Sequence, residues 1–142
     1  MISNPFQRLK FAGLVICLAF LITSCEQETP VPYTPVDFTV SIYSNNLVHV
    51  GNYEYFSGGI RGIVVYRLDL TTFYAYDRAC PYDWEYGSYV EVDSVDNITL
   101  IDYDCGSTFN ILNGYPMNGK ATQPLRSYNA VMVDNVNLRV YN

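Results

Sequence analysis

From residue 38 to the C-terminus, short alternating or β-branched and aromatic stretches are separated by turn residues. No stretch in this part of the chain has the period of an amphipathic helix. The predicted strands cover residues 38–42, 48–56, 63–68, 73–76, 89–92, 99–102, 125–133 and 138–141. Asp134-Asn135 is predicted to form the hairpin turn between the last two strands. About eight to ten short strands in one small domain predict an all-β sandwich or barrel.

The N-terminal segment has a different pattern. Two basic residues precede an apolar run over residues 11–22, and small residues then lead to Cys25. This order is typical of a secretory signal, and the apolar run is too short to span a bilayer as a mature helix. The stretch Leu21-Ile22-Thr23-Ser24-Cys25 resembles the lipobox of bacterial lipoproteins. That resemblance implies cleavage after residue 24 and acylation of Cys25, with two or three acyl chains as a membrane anchor.

Residues 25–37 differ from both neighbouring segments. They contain three prolines, several acidic residues and few apolar ones, which is typical of an extended, semi-rigid spacer. Glu26 follows the anchor in place of the aspartate associated with inner-membrane retention, so the outer membrane is the expected location. The chain is therefore predicted to consist of a signal peptide (1–24), a tether (25–37) and a β-domain (38–142).

The charge of the mature protein excludes one class of function. The full chain has eight basic and fourteen acidic residues, a net charge of −6. Residues 1–24 carry two of the basic residues and no acidic ones, so their removal changes the net charge to −8. Such a surface repels nucleic acid and anionic headgroups, and no nucleic-acid partner is expected.

Acidic residues are concentrated between Asp77 and Asp104. A solvated acidic face accounts for them, and a calcium site on these loops is the alternative, although the spacing matches no EF-hand loop. A hydrolase with paired carboxylates is a weaker alternative, because no pattern selects one pair of acids. No catalytic residue is assigned.

Three segments in order carry a family resemblance. These are Arg78-Ala79-Cys80-Pro81-Tyr82, then Asp102-Tyr103-Asp104-Cys105-Gly106-Ser107-Thr108-Phe109-Asn110, then Pro124-Leu125-Arg126-Ser127-Tyr128. They resemble the Cys-x-His loop, the Cys-x-x-His-Gly-Ser-x-Phe-Asp loop and the Pro-Leu-x-x-Tyr stretch of the Rieske domain. The resemblance covers residues 38–142. It implies an antiparallel β-sandwich or barrel in which two loops form a cluster-binding subdomain.

The positions of the cluster ligands depart from that family. A Rieske 2Fe–2S centre requires two thiolates and two imidazoles. The matching positions here hold Cys80, Tyr82, Asp102 and Cys105, so only Cys80 is retained, and the chain has a single histidine, His49. The resemblance therefore predicts a degenerate site at these four positions, with no metal and no cofactor.

In the family the two loops pack against each other, which implies that Cys80 and Cys105 face one another. In an oxidising compartment such a pair is expected to form a disulfide, worth roughly 3.5 kcal/mol in the loop-entropy model. A reactive thiol pair is the alternative. The acidic neighbours argue against it, because negative charge raises the pKa of a thiol.

These observations predict a lipoprotein of the bacterial cell envelope whose clusterless Rieske-like domain serves as a structural or binding module. Its expected partners are the membrane, through the acyl chains, and an envelope protein. The alternative is a redox or electron-transfer protein that uses Cys80 and Cys105 or an atypical iron–sulfur or metal centre.

Overall fold

The computed structural model describes residues 29–142, so the predicted signal peptide and Cys25 lie outside the described residues. Regular structure in the described part consists of ten strands and three short 3-10 helices, at Ile42–Ser44, Asn46–Val48 and Trp84–Tyr86. The strands are β1 (Asp37–Ser41), β2 (Tyr53–Phe56), β3 (Ile63–Arg67), β4 (Phe73–Asp77), β5 (Glu91–Val92), β6 (Thr99–Ile101), β7 (Thr108–Asn110), β8 (Pro116–Asn118), β9 (Ser127–Met132) and β10 (Asn137–Tyr141). No helix within residues 29–142 is long and apolar enough to cross a membrane.

The larger sheet has six antiparallel strands in the order β1-β10-β9-β4-β3-β2. β3 lies next to one edge of this sheet and is buried along its whole length, which explains why its sequence is a continuous apolar run rather than an alternating one. β9 and β10 form the hairpin that the sequence predicts. Its turn is closed by Oδ1 of Asp134, which accepts hydrogen bonds from the N–H groups of Val136 and Asn137.

The smaller sheet has four short antiparallel strands in the order β5-β6-β7-β8, and in the chain it lies between β4 and β9. It packs through the fully buried Leu100 and Phe109. Two connections belong to this part of the fold: residues 78–90, between β4 and β5, and residues 102–107, between β6 and β7. They are called the first loop and the second loop below.

Most of the predicted strands are present, with three differences. The strand predicted over residues 48–56 begins only at Tyr53. Val48 belongs instead to the 3-10 helix Asn46–Val48, which the side chain of Asn45 caps by accepting a hydrogen bond from the N–H of Leu47. β7 and β8 were not predicted, because each has only three residues and the turn between them has the polar composition of a loop.

Packing of the domain begins before the predicted boundary at residue 38. Val31 is fully buried, and its carbonyl oxygen accepts a hydrogen bond of 2.8 Å from Nε of Arg126. Val36 is also buried, and its N–H donates to the side chain of Asn142. Val31 and Val36, in the segment predicted as a spacer, therefore pack against the domain. A tether between the lipid anchor and the domain stays a prediction.

Candidate metal centre

The first loop begins at a buried carboxylate. Asp77, at the end of β4, is fully buried and accepts hydrogen bonds of 2.7–3.2 Å from three backbone N–H groups and one hydroxyl. The donors are Ile60, Arg61, Ala79 and Tyr128. Because this carboxylate holds the backbone at Ala79, the next residue, Cys80, enters the interior and is itself fully buried.

The far end of the first loop is held by Arg78. Its guanidinium lies over the rings of Tyr55 and Tyr89, 4.0 and 4.7 Å from their centroids, and its Nε donates to the carbonyl of Val90 at 2.9 Å. A backbone bridge between Ala79 and Tyr89 closes the base of the loop. The loop therefore has fixed ends, and residues 80–83 lie just inside one of them.

The second loop turns around Asp102. This side chain is fully buried, and its Oδ1 accepts hydrogen bonds from the N–H groups of Asp104 (2.8 Å) and Cys105 (3.3 Å). The N–H of Gly106 donates to the carbonyl of Asp102 at 2.9 Å, and Gly106 has φ +74°, a conformation that favours glycine. This turn directs the Cys105 side chain back toward the first loop.

Ser107 joins the second loop to the segment after β8. Its hydroxyl oxygen accepts hydrogen bonds from the N–H groups of Lys120 (3.1 Å) and Ala121 (2.9 Å), and Sγ of Cys105 lies 3.0 Å from the same oxygen. Gly119 packs so closely that a Cβ there would lie 2.4 Å from Cα of Ser107. The close packing around Ser107 therefore holds the side chain of Cys105 in place.

Four potential ligand atoms converge where the two loops meet. They belong to Cys80, Asp83, Asp102 and Cys105, and all lie within 4.8 Å of one another. The two sulfur atoms are 3.7 Å apart. Cys80 and Asp102 are buried, whereas Asp83 and Cys105 are partly exposed. Thiolate and carboxylate groups in this number are a ligand set for a first-row transition metal such as zinc or iron.

Two carboxylate oxygens at this place lack a hydrogen-bond donor. Oδ1 of Asp83 and Oδ2 of Asp102 are buried and have no hydrogen-bond partner among the described residues. Burial of an unpaired carboxylate oxygen is unfavourable by several kcal/mol unless a cation or donor meets it. The two buried, unpaired oxygens therefore favour a cation at this place.

The ionisable side chains at the site shift one another's pKa values. Burial, together with the carboxylates of Asp102 and Asp83, raises the pKa of the Cys80 thiol far above its usual range. Burial also raises the pKa of Asp83. Burial acts in the same direction on Asp102, but its contacts with Cys80 and with the N–H groups of Asp104 and Cys105 outweigh it and lower its pKa. Neither ion pair in the described part of the chain involves these side chains.

The structure brings together three of the four ligand positions taken from the Rieske resemblance, namely Cys80, Asp102 and Cys105. Tyr82 is not one of the converging donors: its side chain is 53% exposed and lies under the ammonium of Lys120. The next residue, Asp83, takes its place as the fourth donor. Its acidic side chain near Cys80 is visible in the sequence, but the family alignment points to the position before it.

The predicted disulfide is not supported. Cys80 and Cys105 face each other as the resemblance implies, but both are free cysteines and their sulfurs are 3.7 Å apart. A disulfide bond has a length of about 2.05 Å. The pair is in contact without being bonded.

No family model matches the chain, and no curated protein matches it. Two solved structures are similar to it. The ferredoxin of carbazole 1,9a-dioxygenase from Nocardioides aromaticivorans IC177 has a TM-score of 0.51 and 18% identity, covering 76% of this chain and 97% of that chain. A complex of reduced oxygenase and oxidized ferredoxin in carbazole 1,9a-dioxygenase gives a TM-score of 0.54 and 19% identity, covering 75% of this chain and 93% of that chain. The predicted Rieske-like all-β fold is confirmed.

The expectation of no metal and no cofactor is wrong. It rests on the ligand count of the Rieske cluster, in which Asp83 has no place. The Rieske cluster itself does not fit, because it needs two imidazoles and His49, the one histidine of the chain, is exposed and outside the converging donors. The donors that do converge could hold a metal ion with a different ligand set.

Proposed function

We propose that this protein is a redox module of the bacterial cell envelope, which carries electrons at a metal centre between its two loops and exchanges them with a protein partner. The observation that supports this most is the convergence of Cys80, Asp83, Asp102 and Cys105 within 4.8 Å. The centre would supply one-electron chemistry, and the chain would hold it in a site that is partly shielded from water. This proposal replaces the structural or binding module as the preferred function.

The similarity of the fold to that of ferredoxins supports the proposal. Both similar structures are described as ferredoxins, and one of them is a complex with an oxygenase. An electron carrier must meet at least one partner, so an electron-donating or electron-accepting protein is the expected partner here. The acidic surface of the mature chain favours a partner with a basic docking face.

The position of the site suits electron exchange with a docked protein. Cys80 and Asp102 are buried, whereas Asp83 and Cys105 reach the surface. Tyr82 and Tyr103 each adjoin a donor in the chain and are 53% and 68% exposed. Exposed aromatic side chains are enriched in protein interfaces, so these two tyrosines are the proposed contact residues around the centre.

The cellular location of the protein is the other part of the proposal. Cys25 is proposed as the acylated residue, residues 25–37 as the tether and the outer membrane as the location, on the basis of the sequence pattern. An anchor of this kind would keep the module near membrane-bound partners while the domain stays in the aqueous phase.

The test is voltammetry of the purified protein, with iron supplied during expression, together with its visible absorption and iron content. The expected result is a reversible one-electron wave that disappears after chelation and in Cys105→Ser. Asp134→Asn, at an exposed turn far along the chain from the loops, should leave the wave unchanged. A colourless protein with no wave would contradict the proposal. A two-electron thiol–disulfide wave that survives chelation would also contradict the metal centre.

A further inference from the structure

We infer that the centre is mononuclear: one first-row transition-metal ion held tetrahedrally by the sulfurs of Cys80 and Cys105 and by one carboxylate oxygen each from Asp83 and Asp102. This inference rests on the site of the proposed function and specifies its cofactor. It distinguishes the site from a two-iron cluster, which would bind the same thiols differently.

The spacing of the ligands is the first argument. The first loop contributes Cys80-Pro81-Tyr82-Asp83 and the second contributes Asp102-Tyr103-Asp104-Cys105. Each loop therefore supplies one thiolate and one carboxylate with two residues between them, and the order of the two is reversed in the second loop. Pairs of ligands separated by two residues on two facing loops are the arrangement typical of single-ion zinc sites.

The distance between the sulfurs is the second argument. Two thiolates on one tetrahedral ion, with metal–sulfur bonds of about 2.3 Å, have their sulfurs about 3.8 Å apart. Sγ of Cys80 and Sγ of Cys105 are 3.7 Å apart. The carboxylate donor atoms also lie within 4.8 Å of both sulfurs, which places them beside the same ion.

A two-iron cluster requires a different arrangement. Its ligands belong to two irons and lie on opposite sides of a core that also contains two sulfides. Here all four donor atoms lie within 4.8 Å of one another. Each loop is also fixed by its own contacts, because Asp77 holds the backbone just before Cys80 and Ser107 holds the second loop against residues 120–121.

The hydrogen bonds made by the ligand side chains leave unpaired, among the described residues, the oxygen atoms that would bind the ion. Oδ1 of Asp102 is occupied by two backbone N–H groups, which orients the carboxylate and leaves the buried Oδ2 unpartnered. Oδ1 of Asp83 is likewise unpartnered. The Ser107 oxygen accepts two backbone N–H groups, so its own proton is available to the sulfur of Cys105 once that sulfur is a thiolate. Such supporting contacts orient metal ligands in known sites.

The test uses Co²⁺ as a spectroscopic probe, added to the full purified chain after chelation. The inference predicts saturation at one Co²⁺ per chain, with the intense visible d–d bands of a tetrahedral ion and a near-ultraviolet thiolate-to-cobalt charge-transfer band. Cys105→Ser should lower the charge-transfer intensity by about half, because one of two sulfur ligands is lost. Asp83→Asn should weaken Co²⁺ binding by at least about tenfold.

The matched control is an acid beside a donor. Glu85→Gln lies two residues after Asp83, and its native side chain is exposed. This variant should change neither the cobalt spectrum nor the affinity. Because Asp102→Asn alters a buried residue and could impair folding, the partly exposed Asp83 is the preferred carboxylate to test, with far-ultraviolet circular dichroism as the folding check.

Three results would overturn the inference: two irons with acid-labile sulfide per chain, the weak bands of octahedral cobalt, or no saturable binding. Failure of the inference is distinguishable from failure of the proposed function. A tetrahedral 1:1 cobalt complex combined with an iron form that shows no reversible wave supports the inference and contradicts the function. A reversible wave from a two-iron cluster would support the proposed function and contradict the inference.

Discussion

The hydroxyl of Tyr128 donates a hydrogen bond of 2.8 Å to Oδ2 of Asp77, and both side chains are buried. This contact joins the start of β9 to the end of β4, at the point where the first loop departs. The same carboxylate also accepts hydrogen bonds from the backbone N–H groups of Ile60 and Ala79. The pair therefore couples the larger sheet to the position of Cys80. Buried carboxylates of this kind are stable only while their donors are present.

Tyr128→Phe removes one of these donors without changing the ring. The free energy of unfolding, measured by urea denaturation, should fall by roughly 1–3 kcal/mol, because the hydrogen bond is buried and its acceptor is charged. Tyr86→Phe is the control, since that side chain is 89% exposed and should change the stability by less than about 0.5 kcal/mol. Equal effects of the two substitutions would show that the Tyr128 contact contributes nothing.

The same pair predicts a loss of stability in alkali. Burial, and then the negative charge of Asp77, raises the pKa of Tyr128 in the folded protein above its value in the unfolded chain. The stabilisation is therefore complete below about pH 10, where the unfolded tyrosine begins to ionise, and declines as the pH rises further. Unfolding free energies measured from pH 8 upward should fall less steeply in Tyr128→Phe than in the native protein. Parallel curves would contradict this prediction.

Gly59 is required by the same contact. It has φ +60°, and a Cβ there would lie 2.2 Å from Oδ2 of Asp77 and 2.7 Å from the hydroxyl of Tyr128. Gly51 has φ +84° but no atom within 4 Å of such a Cβ, so Gly51→Ala tests the backbone strain alone. Gly59→Ala should lower the unfolding free energy by at least about 2 kcal/mol more than Gly51→Ala. Similar losses in the two variants would mean that backbone strain accounts for both.

Ser107→Ala should affect both stability and metal binding. The loss of a buried hydroxyl that accepts two N–H groups is expected to cost roughly 1–3 kcal/mol of unfolding free energy in the metal-free protein. The loss of support for Cys105 should lower Co²⁺ affinity by about 10–100-fold. Ser94→Ala, at an exposed position, should do neither. An unchanged affinity in a folded Ser107→Ala protein would exclude the supporting role.

Metal should stabilise the folded protein by mass action. At a free Co²⁺ concentration 100 times the dissociation constant, the unfolding free energy should rise by about 2.7 kcal/mol, if the unfolded chain does not bind the ion. Chelation should reverse the gain, measured as the shift of the thermal midpoint. Glu85→Gln should keep the stabilisation and Asp83→Asn should lose most of it. Equal stabilisation of both variants would place the ion elsewhere.

Local patterns in the sequence were sufficient for much of the fold. β2 was predicted with its correct end at Phe56, and β3 with its correct start at Ile63, because alternation and continuous apolar runs report directly which faces of a strand are buried. The hairpin at Asp134 follows from turn chemistry over four residues. The three-residue strands β7 and β8 could not be predicted, because so short a segment carries no measurable period.

The predicted lipid anchor at Cys25 rests on the linear chain alone, as do the ordered motifs of residues 78–128, from which the Rieske-like fold followed. The candidate metal centre did not, because it depends on distances across two loops far apart in the sequence. Alignment with one ligand pattern placed Tyr82 at the site, whereas the backbone turns that residue outward and brings Asp83 in. Nor can residue order show that one oxygen of Asp102 is bonded while the other is buried and free. Only tertiary packing decides which donor atoms meet and which remain unpaired.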